Sequence, residues 1–85
     1  MDTRQQEHLA RIREAFAAEM RAARARRGVT QSELAQQAGM SRATVARLEA
    51  GERSLDMSQL FALCEALGVD PGEILNAVQR QAAEK

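Results

Sequence analysis

The sequence predicts an all-α domain of five helices, because three observations agree. Apolar residues recur at spacings of three and four, which is the period of an amphipathic helix. No segment alternates β-branched and polar residues in the manner of a strand, and the only proline is Pro71. Glycines follow four of the predicted helices, where a chain often turns through a left-handed residue. The length of 85 residues fits one compact domain.

The first predicted helix is the longest and spans residues 4–27. Its apolar stripe consists of Leu9, Ile12, Phe16, Met20 and Ala23. Gly28 ends the helix, and the arginines of its last turn suit the negative end of the helix dipole. We assign residues 1–13 to an N-terminal extension of this helix, 14–78 to the main domain and 79–85 to a C-terminal tail.

The other four helices share one local pattern at their starts. A side chain that can cap the helix follows an apolar residue, and a second apolar residue lies five positions after the first. The capping residues are Thr30, Ser41, Asp56 and Asp70. Thr30 and Glu33 form a complete capping box, and the other starts are partial or variant forms. The pattern predicts helices at 31–38, 42–50, 57–67 and 71–83.

The core is predicted from the inward faces of these helices. Its members are Phe16, Met20, Leu34, Ala35, Val45, Leu48, Leu55, Leu60, Leu63, Cys64, Leu67, Val69 and Ile74. A lone cysteine cannot form an internal disulfide, so Cys64 fits a reducing compartment. The lone His8 has no catalytic partner near it in sequence and is expected to be solvated.

Charge is distributed unevenly along a chain whose net charge is zero. Between Arg21 and Arg53 there are seven arginines and three glutamates, which gives +4 there and −4 elsewhere. Such asymmetry predicts one basic face, as nucleic-acid binding requires. Two phenylalanines are the only aromatic residues, which argues against single-strand binding by base stacking.

Several classes of function are not supported by the sequence. It contains no carboxylate pair placed for acid–base catalysis and no metal-ligand spacing, so we expect neither an enzyme nor a metal or other cofactor. No apolar run is long enough to span a membrane, and no signal-peptide pattern is present. No feature indicates a small-molecule ligand.

The stretch from residue 30 to residue 51 resembles the helix-turn-helix of the Xre/Cro-type, lambda-repressor-like DNA-binding family. The matching residues are Thr30, Gln31, Leu34, Ala35, Gly39, Ser41, Val45, Leu48, Glu49 and Gly51. The likeness extends over about residues 16–75. It implies a five-helix domain and a transcriptional regulator, in particular a repressor or autoregulator, that binds double-stranded operators as a homodimer. It also implies a cytoplasmic, nucleoid-associated protein of prokaryotic or phage origin.

Within this resemblance, the helix at 42–50 is the expected recognition helix. Val45 and Leu48 face inward. The other faces are then left to Arg42, Ala43, Ala46 and Arg47. The N-terminal residues of a recognition helix come nearest the base edges in the major groove. Arginine can bond O6 and N7 of guanine together, and alanine can contact a thymine methyl group. We therefore expect Arg42, Ala43 and Arg47 to contact bases.

Four further residues are expected to contact the DNA backbone. The resemblance implies a phosphate contact for Gln31, at the start of the second helix. The start of the second helix also presents free amide groups to an anion. Ser41 caps the recognition helix and can donate to a phosphate as well. Thr44 lies near enough to the start of that helix to contact the sugar–phosphate backbone or to pack internally. Arg53 lies in the loop that follows the recognition helix. Such contacts position a protein on DNA but carry no direct sequence information.

The resemblance also implies a structural ion pair between Arg24 and Glu49. For the dimer interface, we expect apolar residues left over by the core. The favoured set is Phe61, Leu75 and Val78, and the alternative is Leu9 with Ile12. A protein-interaction adaptor that does not bind specific DNA remains an alternative function, because the net charge is zero and fold alone does not determine function.

Overall fold

The fold is known from a computed structural model that describes residues 2–83. Met1 of the predicted extension, and Glu84 and Lys85 of the predicted tail, lie outside the described residues. The five helices are α1 (Thr3–Arg27), α2 (Gln31–Ala38), α3 (Arg42–Glu49), α4 (Met57–Leu67) and α5 (Pro71–Ala83). Residues 2–83 contain no strand, so the all-α prediction is confirmed. Residues 79–83 form the last turns of α5 rather than a separate tail.

Side-chain caps define the helix starts. Thr30 accepts a hydrogen bond from the backbone N–H of Glu33 at 3.0 Å, and the Glu33 carboxylate accepts from the N–H of Thr30 at 2.9 Å. Asp56 and Gln59 form a second complete capping box, with both bonds between 2.8 and 3.1 Å. Asp2 and Gln5 form a third at the start of α1, which the sequence analysis did not predict.

The turn after α3 requires a glycine because of its backbone conformation. Gly51 has a φ of 74°, which side-chain-bearing residues rarely adopt. A Cβ atom at this position would approach the end of the exposed Glu14 side chain and the backbone of α1 at Glu14. The third helix, α3, therefore ends directly against α1, one residue earlier than predicted.

The core lies between α1 and the four helices packed around it. All thirteen predicted members belong to it, although Leu55 and Val69 are only half-buried at its edge. Ala17 and Ala23 are buried as well, because α1 is enclosed along this face. The most extensive packing joins α1 to α5, while α2 packs on α3 and α4. The described part of the molecule measures 37 × 23 × 20 Å.

Candidate nucleic-acid interface

The third helix has one buried face and one polar face. Val45 and Leu48 are 1% and 2% exposed and anchor α3 to the core. Arg42, Ala43 and Arg47 lie exposed on the other side. The exposed side of this eight-residue helix thus carries the Arg42 guanidinium and the Ala43 methyl group at its start, and the Arg47 guanidinium in its last turn.

The hydroxyl groups of Ser41 and Thr44 meet at the N-terminus of α3, where Ser41 is the capping residue. The Oγ atom of Ser41 accepts a hydrogen bond from the N–H of Thr44 at 3.1 Å. It also lies 2.9 Å from Oγ1 of Thr44, so the two hydroxyls bond to each other. The N–H groups of Arg42 and Ala43 have no acceptor within the helix. This end of α3 can therefore receive an anion such as phosphate.

Gln31, an expected phosphate contact, has a partner inside the protein. Its Nε2 atom donates a hydrogen bond to Oε1 of Glu49 at 3.0 Å. The contact joins the first residue of α2 to the last residue of α3. Sequence spacing does not predict this contact, because residues 18 positions apart follow no local spacing rule.

The Arg24–Glu49 ion pair is present and has bidentate geometry. Nε of Arg24 lies 2.7 Å from Oε2 of Glu49, and Nη2 lies 3.0 Å from Oε1. Arg24 also donates to the carbonyl of Val29 at 3.0 Å. Glu49 is only 4% exposed, so the guanidinium group compensates a charge withdrawn from water. The hydrogen bond to Glu49 raises the pKa of Arg24 above its usual range, although burial opposes this.

Arg21 supports the same end of α3. It donates a hydrogen bond to the backbone carbonyl of Glu49, where the helix leaves acceptors without intrahelical partners. Its other contact is an exposed ion pair with Glu14 at 3.3 Å. Arg21 precedes Arg24 by three positions and shares its helix face, which is the signal that could have indicated this role. Two arginines of the predicted basic face therefore hold α3 in place.

Arg53 lies beside α1 in the loop between α3 and α4. Its Nε atom donates to the carbonyl of Ser54 at 3.3 Å. Arg53 is half-buried and lines a recess of about 210 Å³ together with Arg13 and apolar residues of α1, α4 and α5. The structure thus places a cationic group at this loop.

The expected dimer residues differ in exposure. Phe61 and Leu75 are 53% and 48% exposed, as an unpaired interface requires. Val78 differs from the other two, since it is 6% exposed and belongs to the core, so it offers little surface to a second protomer. It is buried because the N-terminal part of α1 packs along α5 and brings Ile12 over the core. Leu9, in the alternative set, is 37% exposed.

Within residues 2–83, no three histidine, cysteine, aspartate or glutamate side chains are grouped so that they could hold a metal ion. No helix in that range is both long and apolar enough to cross a membrane.

A family model described as helix-turn-helix matches residues 20–74, which include all of α2, α3 and α4. The chain belongs to the Xre/Cro-type helix-turn-helix family. Members of this family are DNA-binding transcription regulators rather than enzymes. No curated protein matches the sequence.

Three solved structures show the similarity of this Xre-family chain to known proteins. The clp gene regulator ClgR from Corynebacterium glutamicum is 34% identical, with a TM-score of 0.75 over 80% of this chain and 88% of that one. An XRE-family like protein from Pseudomonas syringae is 30% identical, with a TM-score of 0.77 over 94% of this chain and 96% of that one. The restriction-modification controller protein C.AhdI from Aeromonas hydrophila is 29% identical, with a TM-score of 0.71 over 73% and 94%.

Proposed function

We propose that this Xre-family protein is a small transcriptional regulator, a repressor or autoregulator, that binds duplex DNA sequence-specifically through α3. The polar face of α3 carries the proposal. Arg42 and Ala43 occupy the first two helical positions and are exposed, while Val45 and Leu48 hold the helix from behind. Placed in the major groove, Arg42 would bond a guanine, Ala43 would contact a thymine methyl group, and Arg47 would act one turn further along.

Contacts to the DNA backbone would set the orientation of α3 in the groove. The starts of α2 and α3 each leave two backbone N–H groups without intrahelical acceptors, and both starts can receive phosphate. The side chains of Gln31, Ser41 and Thr44 lie at these starts, and Arg53 adds a cation from the next loop. These groups position α3, and the bases it touches give the specificity.

The functional form in this proposal is a homodimer. Phe61 of α4 and Leu75 of α5 are large, exposed apolar residues with no described role in the monomer. A two-fold dimer would place two copies of α3 one helical turn apart, at ~34 Å, and would match an operator with inverted symmetry. The protein would act in the cytoplasm of a prokaryote or on phage DNA.

Selection of bound duplexes from a random DNA library at near-physiological salt tests the proposal. An enriched inverted repeat is expected, with half-sites centred about 10 base pairs apart. Weak binding without enrichment, lost as salt rises, would leave only the non-specific electrostatic attraction. That result would favour the adaptor function, with the exposed apolar residues of α4 and α5 as its contact surface.

A further inference from the structure

We infer that Glu49 is a positioning residue for DNA binding, because its buried carboxylate holds the Gln31 side chain ready for a DNA phosphate. The inference rests on the proposed function, since it concerns the same interface. It assigns to Glu49 a role beyond the ion pair with Arg24.

The hydrogen bonds at Glu49 fix the orientation of the Gln31 amide. A carboxylate can only accept hydrogen bonds, so the group of Gln31 that faces it must be the NH₂ and not the carbonyl. One hydrogen of Nε2 is used in the 3.0 Å bond to Oε1 of Glu49. The other hydrogen of this NH₂ group has no acceptor within residues 2–83 and is available to an external anion.

The position of Gln31 at a helix start adds further donors. The capping box of Thr30 and Glu33 uses the N–H groups of those two residues. The N–H groups of Gln31 and Ser32 are then left free in the first turn of α2. The Gln31 side-chain amide belongs to the same first turn, so we infer that a phosphate at this helix start would meet backbone and side-chain N–H donors together.

Glu49 can hold Gln31 close to DNA because the negative charge of its carboxylate is compensated. An unpaired carboxylate would repel a phosphate, but Glu49 is 4% exposed and is bonded twice by Arg24. The Oε1 atom accepts from Arg24 and from Gln31, each at 3.0 Å. The side chain of Gln31 is ordered before DNA arrives, so binding does not have to restrict it.

A double variant removes the buried carboxylate that holds Gln31, together with its cation, while leaving the core filled. Arg24→Met/Glu49→Met replaces the buried pair with apolar side chains of similar length, a change that folded proteins often tolerate. A melting curve followed by circular dichroism verifies that the variant folds. Nuclear magnetic resonance relaxation of side-chain NH₂ groups in the DNA-free protein then reports on Gln31, with the exposed Gln37 of the same helix as control.

In the unmodified protein, the Gln31 amide should be as rigid as the backbone and clearly more rigid than that of Gln37. In the double variant, the two amides should be equally mobile. Equal mobility in the unmodified protein would contradict the inference.

Binding to the selected operator gives the second measurement. Gln31→Ala should weaken binding about tenfold in the unmodified protein, which corresponds to about 1.4 kcal/mol. In the Arg24→Met/Glu49→Met background the same change should weaken binding about twofold or less, because the amide is no longer held. Gln37→Ala should have no effect in either background.

The outcomes separate the inference from the proposed function. If DNA is bound and Gln31→Ala has the same effect in both backgrounds, Glu49 has only a structural role and the inference is wrong. If no duplex is bound specifically by the unmodified protein, the proposed function fails and the inference fails with it.

Discussion

At the scale of single residues, Glu49 is the buried charge on which the position of α3 depends. It ends the helix, where a negative side chain is unfavourable to the dipole. Its charge is compensated by Arg24, and Gln31 donates a further hydrogen bond to it. Arg24→Ala would leave the carboxylate buried without its cation. We expect a loss of about 3–5 kcal/mol in the free energy of unfolding, measured by urea denaturation.

The exposed pair between Arg21 and Glu14 provides the control for that measurement. Glu14→Ala removes an ion pair whose side chains are 46% and 62% exposed, and such pairs contribute less than about 1 kcal/mol. If Arg24→Ala were no more destabilising than Glu14→Ala, the buried pair would not be a determinant of stability.

Arg42 is the residue on which sequence preference should depend most. Arg42→Ala should reduce the affinity for the selected operator by about 1–3 kcal/mol and relax the preference at one base position per half-site. Binding titrations against a panel of single-base operator variants measure both effects. Arg26→Ala, which removes an exposed arginine from the last turn of α1, should alter neither. Unchanged affinity and preference after Arg42→Ala would show that the orientation assigned to α3 is wrong.

Cys64 should make stability depend on pH in the alkaline range. Burial, and secondarily the carboxylate of Asp70, raise the pKa of this thiol above its usual value of 9.0. Above pH 9 the unfolded chain therefore releases a proton that the folded chain retains, and the free energy of unfolding falls as pH rises towards the folded pKa. The slope approaches about 1.4 kcal/mol per pH unit.

Urea denaturation between pH 7 and pH 10.5 measures this slope. Cys64→Ala should be less stable at neutral pH because of the cavity it leaves, but its stability should fall less steeply above pH 9. Parallel curves for the two proteins would contradict the assignment.

Some site residues follow from the sequence and others do not. Arg42, Ala43 and Arg47 are exposed as expected, because the positions of Val45 and Leu48 fix the rotation of a short helix. The contacts of Gln31 and Arg21 could not be derived in this way. Gln31 bonds to a side chain 18 positions away and Arg21 to a backbone carbonyl 28 positions away, so both contacts depend on how α1, α2 and α3 meet.

At the scale of helices, the boundaries were predictable because their determinants are local. A cap and its partner lie three residues apart, so the chain encodes each helix start without reference to the rest of the fold. Asp56 and Gln59 form a complete capping box where the sequence predicts a partial or variant one, because glutamine can complete the box as well as glutamate. The prediction that Val78 is exposed was wrong, because its burial depends on the packing of α1 along α5.

The N-terminal part of α1 divides into an exposed portion and a packed portion. Residues 2–10 are exposed, whereas Ile12 packs against the core. Ile12→Ala should therefore lower the free energy of unfolding by about 2 kcal/mol, the lower end for a buried aliphatic residue. Leu9→Ala, in the same extension, should lower it by less than about 1 kcal/mol because less apolar surface is lost. Urea denaturation distinguishes the two, and equal effects would mean that the extension packs as one unit.

At the scale of the whole molecule, the proposed homodimer would form through apolar surface that the monomer leaves exposed. Phe61→Asp places a charge on α4 where the side chain is 53% exposed, so the monomer should stay folded while dimers dissociate. Sedimentation velocity should show a shift from dimer to monomer, and the inverted repeat should be bound more weakly. Leu9→Asp is the matched control on α1. A dimer that survives Phe61→Asp but not Leu9→Asp would place the interface at the N-terminal helix instead.

The candidate interface offers few unpaired cations, although seven arginines lie between Arg21 and Arg53. Arg21 and Arg24 are engaged with Glu49, so they add less to the basic face than their number suggests. Arg42, Arg47 and Arg53 have no ion pair within the described residues, and the starts of α2 and α3 supply N–H groups beside them. DNA binding in the proposed manner would therefore depend on the placement of donors more than on total charge.

The packing of α1 against α5 also bears on the order of events during synthesis. Glu19 bonds to Gln81, a residue made 62 positions later. At ribosomal rates, roughly 3 to 12 seconds separate the two. Until α5 emerges, the first helix of the nascent chain has an uncovered apolar stripe, and a chaperone that binds such stripes has that interval in which to act.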